Sequence, residues 1–168
     1  CLVQVCFGDD IAHLLQLSKQ PEEKPKNLIK LLKNKSITKI FHYGRFDLAM
    51  LNKNVGPVVG PIYCTKIASK LSRTFGAKHG LKDLCKDLLN IELDKFNQTS
   101  DWGTKILSKD QLAYAAQDVL FLHKLKIKLD EILLREGKMN LALECFESLK
   151  TRVKLDLEGF QELDIFAH

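Results

Sequence analysis

The sequence predicts an α/β domain, and three observations carry that prediction. Short β-rich runs alternate along the chain with amphipathic helical stretches. At 168 residues, 45% of them hydrophobic, the chain is long enough to bury one core and short for two. No apolar run approaches the roughly 18 residues needed to cross a bilayer, and the N-terminus lacks a secretory pattern.

In chain order, Leu2–Phe7 reads as a short strand, Gly8-Asp-Asp10 as a turn, and Ile11–Leu17 as the returning strand of a hairpin. Gln20–Pro25 is a polar, proline-bounded loop. Leu28, Ile29, Leu31 and Leu32 then mark a short helix whose Lys26, Lys30 and Lys33 face water. Ile37–His42 is the next strand and Gly44–Lys53 the helix after it. Gly56–Pro61 punctuates the chain, and Pro61–Thr65 is a strand that delivers Thr65 to a helix over Lys66–Arg73. Gly80–Leu89 is an amphipathic helix with Leu81, Leu84, Leu88 and Leu89 inward. Asp94–Trp102 is a loop. Ser108, followed three residues later by Gln111, forms a capping box that opens one long helix to about Arg135, broken at Glu136-Gly137. A last amphipathic helix covers Asn140 to Lys154.

The charge of +5 permits a polyanionic partner without requiring one, because a solvated lysine-rich surface explains it almost as well. The five cysteines are odd in number, and none forms a Cys-x-x-Cys pair. They read as reduced thiols of a cytoplasmic protein, with neither a zinc site nor a disulfide framework.

Two places carry chemistry. Tyr114 and Asp118 are four apart on the long helix, so a phenol and a carboxylate lie one turn apart on one side of it. Leu112, Ala115, Ala116 and Val119 give that helix its buried face. A plain structural reading competes: a half-buried core tyrosine beside a solvated aspartate. The second place is His42-Tyr-Gly-Arg-Phe-Asp47, which puts a carboxylate in the first helical turn after a strand. α/β folds place their sites at that rim, but an aspartate there also simply suits the helix dipole. Trp102 reads first as core packing, with base stacking as the alternative, and Lys95 is a candidate phosphate contact.

These segments resemble one family. Tyr114-Ala-Ala-Gln-Asp118, preceded by Ser100-Asp-Trp102, is similar to the third exonuclease motif of ribonuclease D-like 3′–5′ exonucleases, the tyrosine branch of the DEDD superfamily. His42-x-Gly-x-x-Asp47 resembles their second motif, and Gly80-Leu-Lys-Asp-Leu84 is also similar to them. Where related enzymes often have Asp-Thr, this chain has Cys64-Thr65, so no chemistry is assigned to the cysteine.

The resemblance implies a ribonuclease H-like mixed sheet flanked by helices, with residues 1–168 forming one exonuclease domain and no added C-terminal nucleic-acid-binding domain. It implies hydrolysis of RNA, or of DNA, from the 3′ end to nucleoside 5′-monophosphates. Asp47 and Asp118 would hold metal, two Mg²⁺ or Mn²⁺ ions, and Tyr114 would orient the attacking water. His42, Lys95 and Trp102 would contact single-stranded nucleic acid. The family's first motif, Asp-x-Glu on the central first strand, does not occur here. The expectation is that this strand precedes Cys1 in a longer chain, and an intact mass equal to these 168 residues would contradict it. Should the motif be truly lacking, the alternative is a catalytically silent module that binds single-stranded nucleic acid.

Overall fold

A computed structural model describes residues 2–17, 24–74, 78–93, 101–104 and 106–167. Most of the expected loop at 20–25, and of the 94–102 segment with Lys95, lies outside these residues.

The chain opens as the expected hairpin. Strand β1 (Leu2–Cys6) pairs antiparallel with β2 (Ala12–Gln16), in register from Leu2 opposite Gln16 to Cys6 opposite Ala12. The turn needs left-handed backbone at Gly8 (φ +86°), and a Cβ there would come within 3.1 Å of the His123 ring. Alternation then sorts the hairpin's faces. Val3, Val5 and Leu15 pack on the main core, while Leu2 and Gln4 point the other way.

Helix α1 (Lys26–Lys33) buries Leu28 and Leu32. Strand β3 (Lys39–Phe41), helix α2 (Gly44–Asn54), strand β4 (Ile62–Cys64) and helix α3 (Thr65–Ser72) follow, with β3 and β4 parallel. Helix α4 (Leu81–Leu89) begins after Gly80 and ends at Asn90 in left-handed conformation. Helices α5 (Lys109–Leu120), α6 (Leu122–Arg135) and α7 (Met139–Leu157) complete the order. The main core joins Leu48 and Leu51 of α2, Ile62 and Tyr63 of β4, Leu129 and Leu133 of α6, and Phe146 and Val153 of α7. A satellite cluster gathers Leu84, Cys85 and Leu125.

One expectation is corrected. The single helix from Ser108 to Arg135 is two helices, with Phe121 (φ −101°, ψ −4°) between them. The halves bury their apolar faces on different neighbours, α5 on β1 and β2, α6 on α3 and α4, so one straight axis cannot serve both. Among the described residues the strands form an antiparallel pair and a parallel pair, so both strand orientations of the expected mixed sheet are present. No helix among those residues is long and apolar enough to cross a membrane.

Candidate active site

Helix α5 starts where the sequence places it, for the reason the sequence gives. The Gln111 backbone N–H donates to Ser108 Oγ at 3.2 Å, and the Ser108 N–H donates to Gln111 Oε1 at 2.9 Å. Gln111 also donates through Nε2 to the Asp101 carbonyl at 3.0 Å, and Gln16 of β2 donates to the Thr104 carbonyl at 2.7 Å. Two glutamines therefore fix the short 101–104 segment against both α5 and the hairpin. This network reverses one expected detail: Gln111 is buried and Leu112 is exposed. A buried amide whose bonds are made costs little, so Gln111 takes the inward position.

Fixing 101–104 sets Trp102 beside Tyr114, with ring centroids 5.9 Å apart and planes tilted by 42°. Trp102 is half-buried and absent from the core, which corrects the expectation of core packing. It lines an open cavity of about 300 Å³ together with Tyr114, Asp118, and Leu2 and Gln4 of β1. Leu2 and Gln4 escaped notice in the sequence. The available signal was a polar side chain at the middle of an otherwise apolar strand.

Asp47 enters from α2. Tyr43 precedes that helix in left-handed conformation (φ 63°, ψ 42°), and Asp47 lies in its first turn. The Asp47 carboxyl is pushed up to about 6, first by burial and then by the charge of Asp118, against a smaller opposing hydrogen bond from its own backbone. Burial also raises Asp118. Asp118 keeps contact with water, yet the cleft walls around it are dense enough to strip part of its hydration. The fold thus brings together two carboxylates that sequence analysis names separately, 71 positions apart, and leaves them to repel each other.

His42 is held differently. Thr65 Oγ1 donates its single proton to the Phe41 carbonyl at 3.2 Å, so at 2.9 Å it accepts from His42 Nδ1–H. That assigns the lone pair to Nε2. Burial, and then the nearby Lys66 charge, hold the imidazole down to about 4, so it is neutral near pH 7.

No group of three or more His, Cys, Asp or Glu side chains suited to a metal occurs among the described residues. The pair that does occur fits a hard divalent cation. Both donors are carboxylate oxygens, their ionised forms are mutually destabilised, and Mg²⁺ is commonly held by one or two carboxylates plus water and substrate phosphate.

Known proteins place the chain in a family. A family model for the 3′–5′ exonuclease matches residues 1–134. Ribonuclease D of Acidiphilium cryptum is 32% identical over 144 residues, which cover 86% of this chain and 36% of that protein. The chain thus spans about a third of the length of the curated relatives it matches. Brucella melitensis NrnC superposes with a TM-score of 0.95 at 51% identity, covering all of this chain and 81% of that one. NrnC also matches in structures with bound Mg²⁺ (TM-score 0.93) and bound to pGG (TM-score 0.94). Escherichia coli RNase D, an exoribonuclease involved in structured RNA processing, gives a TM-score of 0.77 at 26% identity over 90% of this chain and 40% of that one. The cleft with Tyr114 and Asp118, whose charge reaches Asp47, stands in a chain that belongs to the 3′–5′ exonuclease family.

Proposed function

We propose that this protein hydrolyses phosphodiester bonds at the 3′ end of single-stranded RNA, using divalent metal held by Asp47 and Asp118. The observation that carries the reading is the raised, mutually repelling carboxylate pair beside Tyr114, in a cleft open to water. Two Mg²⁺ or Mn²⁺ ions, when bound, supply a polarised water and charge neutralisation at the scissile phosphate. The remaining work belongs to the side chains. Tyr114, one helical turn before Asp118, orients the attacking water through its hydroxyl, which can both accept and donate a hydrogen bond. Trp102, set against Tyr114, offers its ring to the terminal base. Nucleoside 5′-monophosphates leave from the 3′ end.

One further point supports the reading: NrnC, alike over this whole chain, is a protein solved with Mg²⁺ and with pGG.

The test is degradation of a 5′-labelled single-stranded RNA with Mg²⁺, with Mn²⁺ and with EDTA. A ladder shortening from the 3′ end, abolished by EDTA, is expected. Tyr114→Phe should lower turnover about a hundredfold and leave affinity in EDTA nearly intact. Binding at low salt without cleavage in any metal would replace this reading with a silent nucleic-acid-binding module.

A further inference from the structure

The parallel strands β3 and β4 deliver a second cluster at their carboxyl ends, outside the acid pair. His42 and Tyr43 follow β3, and Thr65 and Lys66 follow β4. The Lys66 Nζ lies 4.2 Å from the centroid of the Tyr43 ring, and its charge also reaches His42. Among the described residues, no carboxylate comes within ion-pair distance of Lys66, whereas Arg73, just past the end of α3, pairs with Asp87. Lys66 is thus a cation set on an aromatic face, with no counter-charge among the described residues.

The backbone shows what this arrangement costs. Tyr43 is a bulky residue in left-handed conformation, which is unfavourable without compensation, and the residue is 49% exposed. Tyr43 belongs to neither core cluster. What the strained turn achieves is position: it presents the ring, and the lysine on it, four residues before Asp47 at the start of α2.

Resting on the exonuclease reading above, we infer that Lys66, aligned by Tyr43, binds the phosphate of the nucleotide immediately upstream of the scissile bond. A polyanionic strand supplies the missing counter-charge. The carboxyl ends of parallel strands are the rim where α/β folds place their ligands, and Asp47 lies in the helix that follows the same strand as Tyr43. Lysine is suited to such a contact as a mobile point charge, and the ring narrows where that charge can go. The phosphate has two possible sources, an internal phosphodiester or a terminal 5′-phosphate, which different substrates separate.

The experiment compares substrates with and without that phosphate on the purified full chain. The p-nitrophenyl ester of thymidine 5′-monophosphate presents one nucleotide and its scissile phosphate only. Lys66→Gln is expected to lower kcat/KM on single-stranded RNA roughly tenfold more than on the ester, mainly through KM. Binding to RNA in EDTA should lose about 0.7 from its log–log salt slope, the signature of one phosphate contact on a single strand. Lys66→Arg should restore most of both. Tyr43→Phe should behave as wild type. Tyr43→Gly, which keeps the left-handed turn and deletes the ring, should resemble Lys66→Gln in KM. A loss on dinucleotides only when they carry a 5′-phosphate assigns the terminal source, and a loss on longer RNA regardless of its 5′ end assigns the internal one. An unchanged salt slope, or equal losses on RNA and ester, would overturn the inference. A wild type that cleaves neither substrate would defeat the exonuclease reading instead, and the salt slope would still decide the fate of Lys66.

Discussion

Helix α2 carries two charged residues of the same turn into opposite electrostatic situations. Arg45 turns toward α7 and meets Asp156, with Nε 2.5 Å from Oδ2 and Nη2 2.7 Å from Oδ1, while Arg152 approaches the same carboxylate at 3.2 Å. Asp47, two residues on, feels the charge of Asp118, and no cation among the described side chains offsets it. The first carboxylate is finished by the fold. Its acid is held below the usual range, chiefly by the hydrogen bond from Arg45. The second is unfinished, and its acid is held above that range. A protein of ordinary, marginal stability tolerates an unfinished pair only if something outside the polypeptide completes it. The contrast separates structural from functional charge more sharply than burial does, because both aspartates are largely withdrawn from water.

The largest effect should come from neutralising the unfinished pair. Asp118→Asn is expected to lower kcat/KM on RNA in Mg²⁺ by roughly a thousandfold, through loss of a metal-holding carboxylate, with thermal stability preserved. Steady-state cleavage of labelled RNA beside a melting curve checks this, and retained turnover in a folded protein would remove Asp118 from the chemistry. The mirror experiment is Asp156→Ala at the finished site. It leaves two arginines facing each other at a partly buried position and should destabilise by about 2–3 kcal/mol, below the 3–5 typical of fully buried pairs because both guanidiniums retain solvent. Chemical denaturation reads it directly. Cleavage by the folded fraction should hardly change.

Acidity distinguishes the two sites by sign. For Asp47 the folded acid titrates near 6, above its ordinary 3.8, so the folded state binds more protons than the unfolded one between those values. Its contribution is fully present below about 4 and is lost as pH rises through about 6. Asp156 runs the other way: its lowered acid contributes stability above the ordinary carboxylate range and loses it as pH falls. Asp47→Asn should therefore stabilise the metal-free protein at pH 8 by about 1–2 kcal/mol, within the ~3 kcal/mol ceiling that a displacement from 3.8 to about 6 allows. The gain should vanish near pH 4 and shrink when Mg²⁺ is added to the wild type. A variant less stable than wild type at pH 8 in EDTA would show that the pair is not under repulsive stress.

Much of this was legible in the residues. The hairpin announced itself through Gly8-Asp-Asp10, the capping box through Ser108 and Gln111, and the acid pair through the spacing and motifs around Asp47 and Asp118. What escaped were long-range pairings that leave no local period. Arg45 and Asp156 are 111 residues apart, and nothing in either segment marks a partner. The break at Phe121 is set by which neighbours α5 and α6 pack on, so a continuous apolar period reads straight through it. Trp102 was placed wrongly for a related reason. A lone tryptophan is usually packing, and the glutamine bonds that draw it to the cleft are made to backbone carbonyls, which every residue has.

The smallest expected effect tests whether the unfinished pair depends on how α5 begins. Ser108→Ala removes the oxygen that accepts from the Gln111 N–H and should cost about 1 kcal/mol, the usual worth of an N-cap hydroxyl. Gln111 keeps its bond to the Asp101 carbonyl, so the 101–104 segment stays anchored, as does Trp102 against Tyr114. Asp118 lies more than two turns beyond the cap, on the part of α5 that packs against β1 and β2, and packing fixes a helix there far more firmly than its end does. Turnover should consequently change by less than about threefold while the melting temperature falls. Gln111→Ala supplies the contrast, because it releases the Asp101 carbonyl as well as the cap. If both variants lose stability equally but only Gln111→Ala loses turnover, the glutamine positions Trp102 and Tyr114 through the 101–104 segment. If Ser108→Ala alone already costs turnover tenfold, the geometry of the acid pair is transmitted along α5 from its first turn, and the cap belongs to the active site's support rather than only to the helix.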